Sequence, residues 1–161
     1  LKCTSMSGAN LMSCRFVMSE LEEAKLVGAN LSDALLEGAN LQNADLRSAN
    51  MLGARLVAVD LKDASGKPTG QLSPTNLSGA NLAGANLEGA DLSNARLTDA
   101  DLRGAKLKNA NLSNALLAGA FIADADMTGA NLEGVKLEDA ILEAVALDES
   151  LDDDKLLAVA S

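Results

Sequence analysis

The stretch from residue 26 to residue 46 reads LVGAN LSDAL LEGAN LQNAD L, and it decides the fold of the chain. Leu recurs at every fifth position, and an Ala stands two places before each Leu, as Ala29 does before Leu31. A period of five matches neither the two-residue period of a strand nor the 3.6-residue period of a helix. The pattern instead predicts a repeat architecture in which each five-residue unit makes one identical corner.

The same unit recurs through most of the chain as A-N-L or A-D-L, as in Ala39-Asn40-Leu41 and Ala90-Asp91-Leu92. This pattern resembles the pentapeptide-repeat family, and the resemblance extends to about Leu147. It implies an all-β fold, a right-handed quadrilateral parallel β-helix in which four units make one square coil of twenty residues. The central Leu and the Ala two places before it then point inward, and the other three positions point to solvent.

The register breaks once. Counting by fives, the first run of central residues ends at Leu61 and the second begins at Leu72, which predicts a loop over residues 62–71. We prefer one pentapeptide plus a six-residue excursion, since Ser65-Gly66-Lys67-Pro68-Thr69-Gly70 is typical of a solvent loop. The alternative is two degraded pentapeptides plus one residue. Some members of the family use such loops to contact a partner, whereas a tolerated surface insertion is the simpler explanation.

The two ends of the chain differ from its middle. The chain begins at Leu1 already in register, which suggests a processed protein or a piece of a longer one. After Leu147 the fives fail, and Ser150 with three acids in the turn that follows it is typical of a helix N-terminus. We therefore expect a β-helix over residues 1–149 and a short capping helix over residues 150–161, which would cover the open end of the tube.

Composition limits the chemistry. The chain has no His, which excludes a Ser-His-Asp triad and an imidazole zinc site. Glycine-rich phosphate-binding motifs are missing, as is any run of about eighteen apolar residues that would predict a membrane span. We expect no enzyme activity, no catalytic residues, no cofactor and no bound metal, and the sequence does not assign a compartment.

Charge raises one specific hypothesis. The formal net charge is −10, and acids outnumber bases twelve to five between Leu72 and Glu149. Acidic family members of the quinolone-resistance type are thought to imitate duplex DNA and bind DNA gyrase. Because acids and bases are interspersed here, solubility also explains the composition. Direct nucleic-acid binding is not expected from so acidic a chain.

Several apolar side chains occupy positions that the repeat turns outward. We predict that they form a partner-docking surface, and they are Val17, Met18, Leu35, Val57, Phe121 and Ile141. With a clean loop excursion, counting central residues places Phe121 and Ile141 on the same side of the rod as the others; with two degraded units they move to the next side. Scattered exposed apolar residues are also normal on any protein surface.

These observations favour a non-catalytic scaffold or protein-interaction module. Its partner would be another protein, a neighbouring domain of a longer parent, or a second copy in a homodimer. Inhibition or protection of a type II topoisomerase by DNA mimicry is the alternative. The family resemblance also covers adaptor proteins with a BTB domain and proteins of the chloroplast lumen, and the repeat alone does not choose among them.

Overall fold

The computed structural model describes residues 1–137, 139–141 and 145–146, and in them the chain winds into stacked square coils. Parallel bridges join residues twenty positions apart, as between Asn30 and Asn50. Each coil thus contains four pentapeptides and contacts only the coils directly above and below it. The fold is the right-handed quadrilateral β-helix that the five-residue period predicts.

The bridges form four ladders along the rod, one for each side. The residue that precedes a central residue always provides the bridge. The first ladder contains Ser5, Lys25, Asp45, Asn81, Asp101, Phe121 and Ile141; the second contains Asn10, Asn30, Asn50, Asn86, Lys106, Asp126 and Ala146; the third contains Arg15, Leu35, Arg55, Asp91, Asn111 and Asn131; the fourth contains Glu20, Asn40, Asn76, Arg96, Leu116 and Lys136.

The corners between these sides share one conformation. The second corner residue after each central residue has a positive φ, between 54° and 72° at every described corner from Cys3 to Gly53 and from Gly79 to Asp139. The turn closes with a bond from the Ala N–H to the preceding central carbonyl, such as Ala29 to Leu26 at 3.0 Å. The four-residue turn begins at the central residue, so the positive φ falls on its third residue, as in a type II turn. It explains why Gly, Asn and Asp recur there.

The Asn that precedes a central Leu has two functions in the structure. Asn30 Oδ1 accepts the N–H of Ser32 at 3.2 Å, which fixes the corner that follows. Asn50 Nδ2 donates to Asn30 Oδ1 at 3.3 Å in the neighbouring coil. Side-chain bonds therefore reinforce the backbone bonds between coils, for example Leu31 N–H to Asn50 O at 2.7 Å.

The core is a column of central residues surrounded by Ala. Leu26, Leu46 and Leu87 are at most 1% exposed, and the Ala residues two places before them are fully buried. Each buried Leu contributes about 1.5–3 kcal/mol of transfer free energy. Phe16 also lies at a central position, where it is partly buried and packs against the core.

Two regular strands stand outside the coils. Strand β1 (Val59–Lys62) pairs with strand β2 (Pro68–Ser73) in an antiparallel hairpin. The predicted register is wrong here, because Leu61 and Leu72 are not central residues but lie exposed in the two strands, at 36% and 57%. The interruption is therefore longer than the expected loop over residues 62–71. The predicted capping helix over residues 150–161 lies outside the described residues.

Candidate interaction site

The hairpin leaves the coil at a defined point and returns to the same point. Bridges span 20 residues elsewhere, but the four pairs from Asn40–Asn76 to Arg55–Asp91 span 36, so 16 residues are extruded. The last central residue before the hairpin is Leu56 and the first after it is Leu77, and both are fully buried. The core therefore continues past the insertion without a gap.

Thr75 closes the base of the hairpin. It occupies the inward position that Ala takes in most other pentapeptides, and it is fully buried. Its hydroxyl accepts the N–H of Gly38 at 3.0 Å. The same oxygen lies 3.0 Å from the carbonyl oxygens of Leu36 and Val57, either of which accepts its single proton. Because buried polar groups need partners, this hydroxyl ties the two ends of the hairpin to the preceding coil.

The hairpin projects from one corner column, between the third and fourth ladders. We call this column the hairpin corner; it contains Met18, Gly38, Asn94 and Asn114. At Gly38 the chains approach closely, since a Cβ there would lie 2.5 Å from Met18 Sδ and 3.1 Å from Val59 Cγ2. Gly38 also has a φ of +65°. The base of the hairpin thus rests on Gly38, with Met18 beneath it.

The structure divides the predicted docking residues into two groups. Leu35 lies on the third ladder, and Val17, Met18 and Val57 lie at the corner that follows it, beside the hairpin. Phe121 and Ile141 bridge each other on the first ladder, on the opposite side of the rod, and each is 42% exposed.

Neither way of counting the loop predicted this arrangement. The physical reason is that the coil resumes at Leu77 after 16 extruded residues, whereas both counts kept Leu61 and Leu72 as central residues. The shift of register moves everything after the hairpin around the rod.

Glu37 is a feature of this side that the sequence pattern did not reveal. It lies between Val17 and Val57 in successive coils, and its Oε1 contacts Arg55 Nε at 3.2 Å. Its Oε2 is the one buried side-chain oxygen without a hydrogen-bond partner among the described residues. Burial of a carboxylate oxygen without a hydrogen-bond partner costs free energy.

A shallow cleft lies between the hairpin and the next two coils, with a volume of about 370 Å³. Leu72 and Pro74 form its hairpin wall, with Ala58 at the base. The floor contains Asn94 and Arg96 from one coil and Asn114 and Leu116 from the next. The cleft is open to solvent and is lined by both apolar and polar side chains.

Charges are mixed along the rod. No ladder places two acids in successive coils. Asp45 and Asp101 on the first ladder each pair with the Arg two residues later, at 2.7 and 2.6 Å. The hydrogen bonds from Arg47 and Arg103 lower the pKa of Asp45 and the pKa of Asp101. The described surface is therefore a mosaic of both signs rather than a continuous acidic face.

The described residues contain no cluster of three or more Cys, Asp or Glu side chains that could hold a metal ion. No helix in the described part of the chain is long and apolar enough to cross a bilayer.

The fold and its projecting hairpin define a non-globular solenoid protein built from identical coils. A family model described as pentapeptide repeats matches residues 24–63, 71–109 and 105–143, with eight copies. The chain belongs to the pentapeptide-repeat family. No curated protein matched the chain.

Solved structures of the same family are similar to the chain. Rfr23 from the cyanobacterium Cyanothece 51142 is 33% identical, with a TM-score of 0.48, over 68% of this chain and 60% of that chain. HetL from Nostoc sp. strain PCC 7120, involved in heterocyst differentiation regulation, is 34% identical, with a TM-score of 0.40, over 91% of this chain and 67% of that one.

QnrB1, a plasmid-mediated fluoroquinolone resistance protein, is 17% identical, with a TM-score of 0.40, over 98% of this chain and 84% of that one. At this identity the likeness concerns the fold alone. The chain spans less than two thirds of the length of Rfr23.

Proposed function

We propose that this chain is a non-catalytic protein-interaction module, and that the hairpin and the apolar residues beside it form its docking surface. The observation that supports the proposal is that the hairpin adds nothing to the core. The coil closes from Leu56 to Leu77 without it, yet Thr75 ties its base firmly to the rod. Exposed Leu61 and Leu72 have no role in packing the solenoid.

The apolar residues beside the hairpin extend this surface. Met18 is 47% exposed, and Val17, Leu35 and Val57 are half-buried around it. Together with the hairpin they give a partner both apolar contact area and the open edges of a two-stranded sheet, which can pair with an added strand. Interfaces of this kind bind through a few apolar anchors rather than through total area.

Phe121 and Ile141 form a separate candidate surface on the opposite side. Two stacked apolar side chains are too small an area for a stable interface by themselves, since standard interfaces bury about 800 Å² on each partner. They fit a subsidiary contact with a second copy or with a neighbouring domain.

DNA mimicry towards a type II topoisomerase is the alternative function. It requires regularly spaced carboxylates along one side of the rod. The described ladders favour the interaction module instead, because their acids are separated by Asn, Lys, Arg or apolar residues. Of the 23 acids in the sequence, 16 lie in the described residues beside 12 of the 13 bases.

Crosslinking capture with three baits tests the proposal. The baits are the wild-type chain, a Leu61→Ser, Leu72→Ser variant and a Phe121→Asn variant. All three should fold, because none of these side chains lies in the core. We expect a specific protein to be captured by the wild type and by Phe121→Asn but lost with the hairpin variant.

Two results would count against this proposal. A partner that is captured equally by all three baits would remove the hairpin from the interface, and if that partner were a topoisomerase, mimicry would be favoured. A partner lost only with Phe121→Asn would move the docking surface to the first ladder.

A further inference from the structure

The cleft beside the hairpin combines three kinds of side chain. Leu72, Pro74 and Leu116 supply apolar walls, Asn94 and Asn114 supply amide groups, and Arg96 supplies a positive charge. Pockets that bind ligands typically join an apolar lining with a few polar groups that fix orientation. The side chains that line the cleft therefore indicate which chemical groups an occupant would need.

Arg96 is the charged group of the cleft, and no acid neutralises it among the described residues. Its neighbours on the fourth ladder are Asn76 and Leu116, both uncharged. In contrast, Arg47, Arg55 and Arg103 each lie within 3.2 Å of a carboxylate. A guanidinium offers several donors in a fixed plane, and a carboxylate matches that geometry with two parallel bonds.

The two amides are arranged along the axis of the rod. Asn94 and Asn114 are equivalent corner residues in successive coils, and these coils are joined beside them by the bond from Asn94 N–H to Ser113 O at 2.9 Å. Successive coils are separated by roughly 4.8 Å, the spacing of paired strands. Each amide offers a donor and an acceptor, so the pair can bond the backbone of an extended peptide that runs beside the hairpin.

We propose that this cleft binds an extended peptide segment of a partner protein that carries an Asp or Glu side chain next to an apolar one. The carboxylate pairs with Arg96, the apolar side chain packs between Leu72 and Leu116, and the Asn amides hold the peptide backbone. The inference rests on the proposed interaction function and names the chemistry of the partner. Nucleic acid is disfavoured as the occupant because a chain of net charge −10 repels phosphates.

The test is selection from a displayed library of random twelve-residue peptides on the full wild-type chain. We expect enriched sequences to pair an acid with an adjacent Leu, Ile, Val or Phe. A synthetic copy of the best sequence should bind at least tenfold more weakly to Arg96→Gln and to Leu116→Asn. Lys136→Gln is the matched control, since Lys136 follows Leu116 on the same ladder but does not line the cleft, and it should bind as the wild type does.

Several results would overturn the inference. The inference fails if no peptide is enriched or if the enriched peptides lack acids. It also fails if the selected peptide binds Arg96→Gln as tightly as the wild type, or if a single-stranded DNA oligonucleotide displaces it. A peptide that binds independently of Arg96 but is lost with Leu61→Ser would leave the proposed interaction function standing and remove only this cleft.

Discussion

Asn40 and Asn76 are 36 residues apart in the sequence but are bridged as neighbours in successive coils, with Asn76 Nδ2 donating to Asn40 Oδ1 at 3.2 Å. The equivalent bond between Asn50 and Asn30, only twenty residues apart, measures 3.3 Å. The hydrogen bonds of the Asn ladder are therefore about the same length across the hairpin as elsewhere. We therefore expect the solenoid to fold without the hairpin.

Replacing residues 58–74 with a single Gly should leave a folded solenoid. The new corner would read Leu56-Val57-Gly-Thr75-Asn76, with Gly at the position that needs a positive φ. We expect the melting temperature to be equal to or above that of the wild type, because an exposed segment no longer has to be ordered. Circular dichroism during heating measures this, and a collapse of the melting transition would show that the hairpin supports the coils.

Thr75→Val should destabilise the intact chain. The substitution keeps the shape of the side chain but removes a fully buried hydroxyl that serves Gly38 and a carbonyl. We expect the free energy of unfolding to fall by about 1–3 kcal/mol, the cost of leaving a buried polar group unsatisfied. Thr98→Val, at a half-buried corner, is the control in the same denaturant titration and should change little. An equal loss of unfolding free energy at both positions would show that the Thr75 hydroxyl contributes no more to stability than that of Thr98.

Gly38→Ala should cost more stability than Gly28→Ala. Both residues have a positive φ, at 65° and 63°, and share a penalty of about 1–2 kcal/mol for a side chain in that conformation. A Cβ at Gly28 meets open space, whereas one at Gly38 collides with Met18 Sδ. Because the collision partner is the end of a flexible side chain, Met18→Ala should recover part of the difference. Denaturant unfolding of Gly28→Ala, Gly38→Ala, Met18→Ala and the double variant Gly38→Ala with Met18→Ala measures both effects.

Acid should weaken the fold partly through Asp45 and Asp101. Arg47 and Arg103 lower the pKa of Asp45 and the pKa of Asp101 in the folded state, below the value of about 3.9 in an unfolded chain. Their contribution is therefore fully present above pH 4 or so and is lost as the pH falls through the lowered values. A double variant, Arg47→Gln with Arg103→Gln, should lose less stability than the wild type between pH 6 and pH 3. An identical pH profile would contradict this.

Phe121→Asn should preserve the fold and restore the side-chain ladder. Asn at this position can donate to Asp101, as Asn111 Nδ2 donates to Asp91 Oδ1 at 3.1 Å. We expect an unchanged melting temperature and the loss of any association that uses the first ladder. Sedimentation of both proteins across a range of concentrations measures that association. If the oligomeric state does not change, Phe121 has no role in it.

The sequence predicted the coils well and the hairpin poorly, for a physical reason. Each coil is specified locally, because every Leu with an Ala two places before it identifies one inward-facing pair of side chains. Leu61 and Leu72 happen to satisfy the five-residue count from Leu56 and Leu77, although both lie in exposed strands. The contrary signal was the alternation Val59-Asp60-Leu61-Lys62, which has the two-residue period of a strand.

The docking surface was harder still to predict, because it depends on how the register continues. The coil resumes at Leu77 whatever the length of the extruded segment, so a count of residues across the insertion does not place the second half of the rod. The cleft could not be anticipated at all, since Leu72 had been assigned to the core and Arg96 carries no motif. Only the paired coils bring Arg96 and Leu116 together beneath the hairpin.

The closure at Thr75 also makes the rod a grafting platform. Val57 and Thr75 occupy places that a single corner residue separates in an uninterrupted coil, so any inserted segment whose ends meet within one turn is compatible with it. Loop-closure entropy rises only slowly with length, by about 0.6 kcal/mol for each doubling. Foreign hairpins, peptide epitopes or even small domains inserted between these two residues should be displayed at a fixed height and orientation on an unchanged support.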